Sequence, residues 1–501
     1  MIRVRFAPSP TGPLHIGGVR TALFNYLFAK KNKGKFILRI EDTDQTRYVE
    51  GAENYICESL EWCGIKFDEG INEGGEFGPY RQSERKNIYD KFARELLESE
   101  NAYIAFDSPE ELEKLRKNAE EKGNTFTYNY ETRNNLNNSL NVSPEEVKKR
   151  IDANVPYVIR FKIPENHNFE IYDLIRGAIK INTKELDDKV LQKADGLPTY
   201  HLANIVDDYL MKITHVIRGE EWLPSLPLHI LLYEAFGWKT PEFAHLPLIL
   251  KPSGKGKLSK RDGDSLGFPV FPIEWKDEKG EIYNSFKNQG YFPDAFVNML
   301  ALLGWNPGTE QEIFSIDELI KAFSLEKVGK SGSRFDPDKT KWFNHQYLIR
   351  KTNEEIAEMF EPILNEKNIE HKNFDLPKIC GLVKERVNFI NELYDETYFF
   401  FKAPVEYDEK FLKKAWQENT KQILEDVKTL ISEIKDFEAE ICENTIKNWL
   451  TENEIGFGKI MSPLRLALVG EGKGPGVFDI MEIIGKDETI KRIDTFISHN
   501  S

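Results

Sequence analysis

Residues 2–18 read IRVRFAPSPTGPLHIGG, and this stretch decides the fold. Apolar residues alternate with arginines from Ile2 to Phe6, which predicts a short strand. A loop rich in proline and glycine follows, and apolar residues at helical spacing then predict a helix over about residues 17–31. A second strand is predicted at residues 36–40. The order strand, loop, helix and strand is typical of the parallel sheet of an α/β nucleotide-binding domain.

The segment His15-Ile16-Gly17-Gly18 stands at the start of the predicted helix. Glycines at a helix N-terminus let a phosphate group approach the backbone closely, and the free amides and helix dipole favour anions there. The histidine can donate a hydrogen bond to phosphate oxygens as charge develops on them. Four such residues alone would indicate a plain strand–turn–helix, but the PSPTGPL directly before them favours a phosphate site.

A second segment, Lys257-Leu258-Ser259-Lys260-Arg261, lies far along the chain. Residues 251–261 contain five cationic residues and no acid. A lysine ammonium in such a loop can neutralise a leaving pyrophosphate group. Without a partner motif, the segment would instead indicate a solvated basic loop.

Together, and in this order, the two segments resemble the paired nucleotide-binding motifs of class I aminoacyl-tRNA synthetases, HIGH and KMSKS. The surrounding residues make the chain similar to bacterial-type glutamyl-tRNA synthetases over essentially its whole length. Class I enzymes generally end the first motif in a second histidine, where this chain has Gly18; that departure is usual in the glutamyl branch. The resemblance implies an α/β fold, in which a Rossmann-type nucleotide-binding domain carries an inserted α+β domain and is followed by an all-helical C-terminal anticodon-binding region.

Length and changes in composition predict several domains, because 501 residues are too many for a single core. We expect a Rossmann-type catalytic domain at 1–85 and 186–254, an inserted connective, acceptor-binding domain at 86–185, a stem-contact region with the KLSKR loop at 255–335, and a helical anticodon-binding region at 336–501 with a break near 405. Helices in the last region are predicted over residues 353–365, 376–393, 410–437 and 445–450.

The net charge of −15 argues by itself against a nucleic-acid binder, since phosphate contacts need lysine and arginine. In a large protein the local distribution of charge decides, and the basic loop fits a protein that binds tRNA transiently. No apolar stretch is long enough to span a bilayer, and the first residues lack a signal-peptide pattern, so a cytoplasmic location is expected. The four cysteines form no CxxC pair, which favours buried thiols.

Arg5, Glu41 and Arg218 each stand at the end of a predicted strand, where open α/β sheets form their ligand crevice. A glutamate substrate needs guanidinium groups for its carboxylates and an acid for its amine. The resemblance implies that Arg5 and Arg218 bind carboxylate and that Glu41 binds the amine. It also implies further contacts with glutamate from Ala7, Ser9, Tyr200 and Asn204. Each residue alone would more commonly be a surface ion pair or a satisfied polar group in the core.

The resemblance implies that His15 and Lys260 stabilise the transferring phosphoryl and leaving groups. The expected ATP-binding residues are Pro8, Thr11, Gly12, His15, Gly17, Gly18, Glu221, Lys257, Ser259 and Lys260.

Some bacterial glutamyl-tRNA synthetases carry a zinc cluster in the inserted domain, and this chain departs from that pattern. Ala105 and Asp107 stand where two of the cysteines would be. Because zinc needs a closed shell of thiolates or imidazoles, no structural zinc and no protein metal site are expected. Mg²⁺ is expected only as the companion of ATP.

The resemblance therefore predicts a glutamate–tRNA ligase, with ATP, L-glutamate and tRNA(Glu) as partners and a monomer as the assembly. One alternative is a non-discriminating form that also charges tRNA(Gln). A glutaminyl-tRNA synthetase would share both motifs but by family resemblance ends in β-barrels, whereas residues 345–501 look helical. A tRNA-modifying paralogue would lack the last two hundred or so residues. A non-enzymatic RNA-binding relative would be expected to have lost His15 or Lys260, and a generic adenylyltransferase would not explain the helical C-terminal half.

Overall fold

The structure is a computed structural model that describes residues 1–259, 262–263 and 267–500. The chain divides into two compact units. The first comprises Met1–Gln289 and Pro293–Pro337, and the second comprises Gly290–Phe292 and Asp338–Ser501. The four-part division expected from the sequence stays a prediction.

The strands of the described residues all lie in the first unit. They are β1 Arg3–Phe6, β2 Lys35–Leu38, β3 Ala102–Ala105, β4 Val158–Phe161, β5 Asn168–Asp173, β6 Gly177–Asn182, β7 Val190–Gln192, β8 His215–Gly219, β9 Glu242–Leu246, β10 Ile249–Leu250, β11 Trp275–Lys276, β12 Ile282–Tyr283 and β13 Ser333–Arg334. The described helices of this unit are α1 Ile16–Lys31, α2 Ala52–Trp62, α3 Lys86–Glu98, α4 Pro109–Glu120, α5 Pro144–Asp152, α6 Tyr200–Leu210, α7 Leu226–Ala235, α8 Pro293–Leu302 and α9 Ile316–Ala322.

The strands that frame the cleft are parallel. β1 pairs with β2, and β8 pairs with β9. The amide of Thr214, just before β8, donates to the carbonyl oxygen of Arg3 in β1 at 2.9 Å, so β8 lies beside β1. On the far side, β9 meets β5 in parallel, and β5 pairs antiparallel with β6. Phe6 at the end of β1, Gly219 at the end of β8 and Pro247 just after β9 line one cleft, so the carboxyl ends of these strands come to one edge.

The opening strand–helix–strand unit follows the prediction closely. All four residues of β1 are buried, and α1 covers the sheet with its apolar face, including Val19, Leu23 and Leu27. The helix ends with two lysines in its last turn, where cations interact favourably with the dipole. Gly34 then passes β1 so closely that a Cβ there would lie 2.5 Å from the carbonyl oxygen of Ile2. Only glycine lets the chain turn directly from α1 into β2.

The second unit is helical throughout its described residues. Its helices are α10 Pro337–Leu348, which begins at the last residue of the first unit, α11 Asn353–Glu366, α12 Leu376–Val383, α13 Leu393–Phe401, α14 Glu409–Ala415, α15 Thr420–Glu433, α16 Ala439–Glu452, α17 Gly458–Val469, α18 Val477–Ile484 and α19 Lys486–His499. One continuous core of aliphatic and aromatic side chains runs through this unit. A bundle of this kind agrees with the predicted helical C-terminal region.

The long helices predicted over 376–393 and 410–437 were wrong in extent. The first is interrupted after Val383, because the carboxylate of Glu392 accepts from the amides of Asn388 (2.7 Å) and Phe389 (3.2 Å) and holds them in a non-helical turn. The second is interrupted because Trp416 is extended and the Thr420 hydroxyl accepts from the amide of Gln417 at 2.8 Å. Local side-chain hydrogen bonds of this kind compete with helix formation.

Candidate active site

The carboxyl-end edge of the parallel strands opens into a cleft of about 400 Å³. Most of the predicted site residues line it: Arg5, Ala7, Pro8, Ser9, Thr11, His15, Gly17, Gly18, Glu41, Tyr200, Asn204, Arg218, Glu221, Lys257 and Ser259. Gly12 lies in the same loop but is not part of the lining, and Lys260 lies outside the described residues. Segments more than 200 residues apart in sequence thus meet at one edge of the sheet.

His15 forms the N-cap of α1. Its Nδ1 accepts from the amide of Gly17 at 3.0 Å, so the ring proton of the neutral imidazole lies on Nε2. A Cβ at Gly17 would lie 2.8 Å from His15 Cε1, which explains the need for glycine. The cap holds the imidazole at the mouth of the helix, where the backbone amides favour an anion.

Glu41 has two carboxylate oxygens with different surroundings. Its Oε1 accepts from Arg39 Nη2 at 2.9 Å and from Asn204 Nδ2 at 3.0 Å. Its Oε2 accepts no hydrogen bond from any residue that the structure describes. Because Glu41 lines the cleft and its side chain is buried, one oxygen fixes the orientation and the other remains for a cationic group.

Behind this wall lies a buried ionic cluster. Asp208 accepts hydrogen bonds from Arg5 Nε at 3.0 Å and from Arg39 Nη1 at 2.7 Å. Asp207 accepts one from Arg85 Nε at 2.7 Å. Burial acts to raise the pKa of Asp208, but the two guanidinium groups outweigh it and the pKa is lowered. Asp207 also accepts from a tyrosine hydroxyl and a glutamine amide. With Glu41, the cluster sets three carboxylates against three guanidinium groups, which is what burial of charge requires.

Arg218 is held in a different way. Its Nε donates to His245 Nε2 at 3.0 Å, and its Nη1 donates to the Tyr200 hydroxyl at 2.7 Å. The His245 ring is fixed in turn by Asp173, whose Oδ2 lies 2.7 Å from Nδ1. A second imidazole, that of His229, lies 3.4 Å from Nη1 through its Nδ1. Burial is the largest cause of the lowered pKa of both histidines.

The basic loop makes two further sets of contacts, of which the pair of Lys257 with Glu221 lies on the cleft. Lys257 Nζ lies 2.7 Å from Glu221 Oε1. Burial acts to raise the pKa of Glu221, and the hydrogen bond from Lys257 leads the effects that lower it. Asp262 accepts from the Ser259 amide at 2.7 Å and from Lys251 Nζ at 2.7 Å, and the hydrogen bond from Lys251 is the first cause that lowers its pKa to about 2.

Comparisons with known proteins identify related sequences and structures over nearly the whole chain. The family described as "tRNA synthetases class I (E and Q), catalytic domain" matches residues 1–342, and "Anticodon binding domain" matches residues 355–497. The glutamate–tRNA ligase of Christiangramia forsetii is 59% identical over 493 residues, covering 98% of each chain. That of Flavobacterium johnsoniae is 58% identical over 497 residues, covering 99% of each. A crystal structure of a glutamate tRNA ligase from Elizabethkingia meningosepticum in complex with its amino acid superposes with a TM-score of 0.96 at 55% identity, covering 99% of each chain.

The chain belongs to the glutamate–tRNA ligases. As a member of this family it is an ATP-dependent aminoacyl-tRNA ligase of class I, and the predicted fold class is confirmed. The full-length likeness to glutamate enzymes disfavours a glutaminyl-tRNA synthetase. None of the helices among the described residues is both long and apolar enough to cross a bilayer.

In the segment predicted to be an insertion, Ala105 and Asp107 stand where the resemblance would place cysteines. Asp107 accepts from the Tyr128 hydroxyl and the Asn137 amide, both at 2.9 Å. Ala105 is a buried residue of β3. Among the described residues, no cluster of three or more histidine, cysteine or carboxylate side chains could hold a metal. The absence of structural zinc stays a prediction.

Sequence reasoning missed the residues that support this ligase site from behind: Arg39, Arg85, Asp173, Asp207, Asp208, His229 and His245. A signal existed for two of them. Arg39 interrupts an otherwise apolar strand pattern, and Asp208 follows Tyr200 and Asn204 at the i+8 position of one helix face. No sequence pattern indicated His245, since its partners lie on two other strands.

Proposed function

We propose that this cleft activates L-glutamate with ATP, giving glutamyl-adenylate and pyrophosphate, and then transfers glutamate to the 3′ end of tRNA(Glu). The observation that carries the proposal is the pairing of opposite charges at one edge of the sheet. Arg218 supplies a guanidinium group, and Glu41 supplies a carboxylate oxygen, in a single cleft next to the helix N-terminus of α1. That arrangement complements an amino acid with a second carboxylate that must lie beside a phosphate.

Glutamate is proposed to bind between these groups. Arg218, steadied by Tyr200, receives the side-chain carboxylate, and Glu41 Oε2 receives the ammonium group. Arg5 donates Nε and Nη2 to Asp208, which leaves Nη1 for the α-carboxylate. Ala7 and Ser9 complete the wall, and Asn204 contributes through its bond to Glu41.

ATP is proposed to bind over the first loop and the start of α1, with Mg²⁺ as part of the substrate. The nucleotide approaches the backbone closely at Pro8, Thr11, Gly12, Gly17 and Gly18. Glu221 is a further residue of the described cleft wall. His15, Lys257 and Ser259 come from the two motifs, and Lys260 is assigned from the resemblance of its segment. A Lys260→Ala variant is expected to lose adenylate formation and to keep tRNA binding.

The chemistry needs no protein nucleophile. One α-carboxylate oxygen of glutamate attacks the α-phosphorus of ATP, and the bond from that phosphorus to the bridging oxygen breaks to release pyrophosphate. In the second step a hydroxyl of the terminal ribose of tRNA attacks the carbonyl carbon of the adenylate. The ester forms, AMP leaves, and the hydroxyl proton is released. Catalysis is therefore mainly positioning and stabilisation of charge, with His15 and the lysines at the phosphates.

The tRNA is proposed to bind through the inserted segment 86–185, the stem-contact region 255–335 and the anticodon-binding region 336–501. The match of residues 355–497 to an anticodon-binding domain supports the last assignment. Helical readers recognise unstacked bases by stacking and by hydrogen bonds to base edges. Charging of tRNA(Gln) as well stays the alternative, and monomeric state and cytoplasmic location stay predictions.

Pyrophosphate exchange into ATP tests the proposal directly. It is measured with glutamate and separately with glutamine, each with and without tRNA(Glu). Exchange that depends on glutamate is expected, and the tRNA comparison shows whether activation waits for RNA. Exchange with glutamine alone would contradict the assignment of Arg218, and no exchange under any condition would contradict the proposed reaction.

A further inference from the structure

Arg218 differs from Arg5 and Arg39, the buried arginines of the ionic cluster, in what it donates to. Arg5 and Arg39 each reach a carboxylate oxygen within hydrogen-bond distance. Arg218 donates instead to His245 Nε2, the Tyr200 hydroxyl, His229 Nδ1 and, at 3.4 Å, the carbonyl oxygen of residue 222. None of these acceptors carries a formal charge, and no carboxylate of a described residue forms an ion pair with Arg218.

The two imidazoles are held as acceptors by their other contacts. Arg218 and His245 are paired across the parallel strands β8 and β9, and Asp173 follows on β5. Because Asp173 Oδ2 lies 2.7 Å from Nδ1, the proton of the ring lies on that nitrogen and Nε2 presents its lone pair to Arg218. His229 likewise presents the lone pair of Nδ1 to Arg218. Its other ring nitrogen, Nε2, lies 3.3 Å from Nδ1 of His201. Both rings are fully buried, which favours their neutral form.

We propose that His245 and His229 are positioning residues that set the amino-acid specificity, because they hold Arg218 with neutral acceptors and leave its positive charge uncompensated. A carboxylate in either place would hold the guanidinium equally well but would neutralise it. The inference rests on the proposed function, in which the side-chain carboxylate of glutamate supplies the missing negative charge. A buried unpaired charge is costly, so the bound anion is strongly favoured.

The same arrangement discriminates against glutamine. Its amide is of nearly the same size and shape as the carboxylate, so the fit of the pocket can separate the two only weakly. A site with an uncompensated buried cation separates them by charge, because a neutral amide leaves the guanidinium unpaired. Asp173 contributes indirectly, because it fixes the orientation of the His245 ring and does not contact Arg218.

A matched pair of variants at residue 245 isolates charge from shape. His245→Gln keeps a neutral acceptor oxygen near the position of Nε2, and His245→Glu differs from it only by replacing the amide nitrogen with a second, charged oxygen. In exchange assays with tRNA present, His245→Glu is expected to raise KM for glutamate about 10- to 100-fold relative to His245→Gln. The ratio of glutamate to glutamine activation falls in parallel, while KM for ATP stays equal in the two variants. His245→Gln restores most of the wild-type preference.

A second pair, His229→Asn and His229→Asp, repeats the comparison from the other side, because an amide oxygen of asparagine can replace Nδ1. Thermal unfolding of all four variants shows which are folded, and the pair at 229 decides if a variant at 245 does not fold. A selective rise in KM for glutamate in the acidic member of a pair supports the inference. Equal KM values within both pairs would overturn it, as would a loss confined to kcat. Wild-type protein without glutamate-dependent exchange would instead refute the proposed function.

Discussion

Glu41 shows how one side chain can be both fixed and available. Its Oε1 is held by Arg39 and Asn204, so the carboxylate does not rotate, and its Oε2 faces the cleft without a described hydrogen-bond donor. An ammonium group placed there gains a charge-assisted hydrogen bond at no cost in side-chain ordering. The family resemblance predicted that Glu41 binds the amine, but it did not indicate that the two carboxylate oxygens have different surroundings.

Glu41→Gln tests the assignment at Oε2. The amide oxygen can keep both contacts of Oε1, while the amide nitrogen replaces the acceptor for the substrate amine. We expect KM for glutamate to rise about 10- to 100-fold, which is the loss of one charged hydrogen bond, with KM for ATP unchanged. Exchange kinetics measure both. The exposed Glu50 provides the matched control, and an equal effect of Glu50→Gln would exclude a specific role for Glu41.

Lys257→Gln tests the part of the cleft that is predicted to bind ATP. The lysine lies 2.7 Å from Glu221, and its removal takes one positive charge from the predicted nucleotide side. We expect KM for ATP to rise about tenfold and KM for glutamate to stay within about twofold, because a half-exposed charge contributes modestly. Lys255→Gln, an exposed change in the same loop, is the control. A rise in KM for glutamate alone would show that Lys257 is misassigned.

At the level of single residues, the sequence predicted the residues that line the cleft better than the residues that hold them in place. His15, Glu41 and Arg218 stand next to recognisable patterns or strand ends, and the structure places all three on the cleft. Asp173 and His245 stand in ordinary strands, and their significance comes only from pairing between β5, β9 and β8. Which strands become neighbours depends on contacts distant in sequence, and no local pattern encodes it.

Helix α6 is the element that joins the substrate wall to the interior. Tyr200 and Asn204 face the cleft, and one or two turns later Asp207 and Asp208 bind arginines from β1, from the position just after β2 and from the segment before α3. Spacings of four, seven and eight residues bring all of them to one side of the helix. A displacement of α6 would therefore move the cleft and the ionic cluster together.

Asp208→Asn is expected to destabilise the fold strongly. The change leaves Arg5 and Arg39 without their shared carboxylate in a buried site, and breaking a buried ion pair costs about 3–5 kcal/mol. Urea unfolding followed by circular dichroism measures the free energy of unfolding. Asp152→Asn, at an exposed helix end, should change it by less than about 0.5 kcal/mol. Equal stabilities of the two variants would mean that the cluster does not stabilise the fold.

The carboxylate of Asp208 also predicts how the free energy of unfolding depends on pH: it should fall as the pH falls. Because the pKa of Asp208 is lowered in the folded state, its contribution is complete above the unfolded value near 3.9 and is lost as pH falls toward the folded value. We expect the free energy of unfolding of the wild type to fall from about pH 5 to pH 3, by up to about 1.4 kcal/mol per pH unit for this one group. Asp208→Asn should lose less over that interval. A steeper loss in the variant would reverse the assigned sign.

Element boundaries in the second unit illustrate where sequence patterns fail. The apolar periodicity across residues 376–393 and 410–437 favoured long helices, and the structure has a break in each. The breaks depend on hydrogen bonds that backbone amides donate to Glu392 and Thr420 from three or four residues earlier. Either side chain could as readily have pointed to solvent from a continuous helix, so periodicity could not decide between the two states.

The whole chain consists of two compact units, and its charge does not by itself indicate its partner. A net charge of −15 would argue against binding RNA, yet the family membership shows an aminoacyl-tRNA ligase. Local distribution explains the difference, because residues 251–261 contain five cationic residues and no acid, so the excess acid lies elsewhere in the sequence. Composition therefore excluded few classes of protein, and the prediction of a tRNA ligase depended on the order of the two motifs.

Separate cores predict that unfolding is not a single two-state event. The second unit has a continuous core of its own between Leu348 and Ile497, and the first unit has another around α3, α6 and α7. We expect calorimetry to show two resolved or overlapping transitions, with a calorimetric enthalpy larger than the van't Hoff enthalpy. Saturating glutamate and a non-hydrolysable ATP analogue should raise only the transition of the first unit. One transition with equal enthalpies would contradict independent cores.

The balanced cluster behind the cleft also constrains how this protein can diverge. Any one of its three carboxylates or three arginines is costly to change alone, because its partner is then left buried and charged. Exchange at these positions requires compensating pairs, and such pairs arise rarely by single mutational steps. His229 carries no such penalty, because its ring nitrogens contact His201 and Arg218 and no carboxylate of a described residue. New amino-acid preferences are therefore expected to evolve through His229, with the cluster passed on unchanged between lineages.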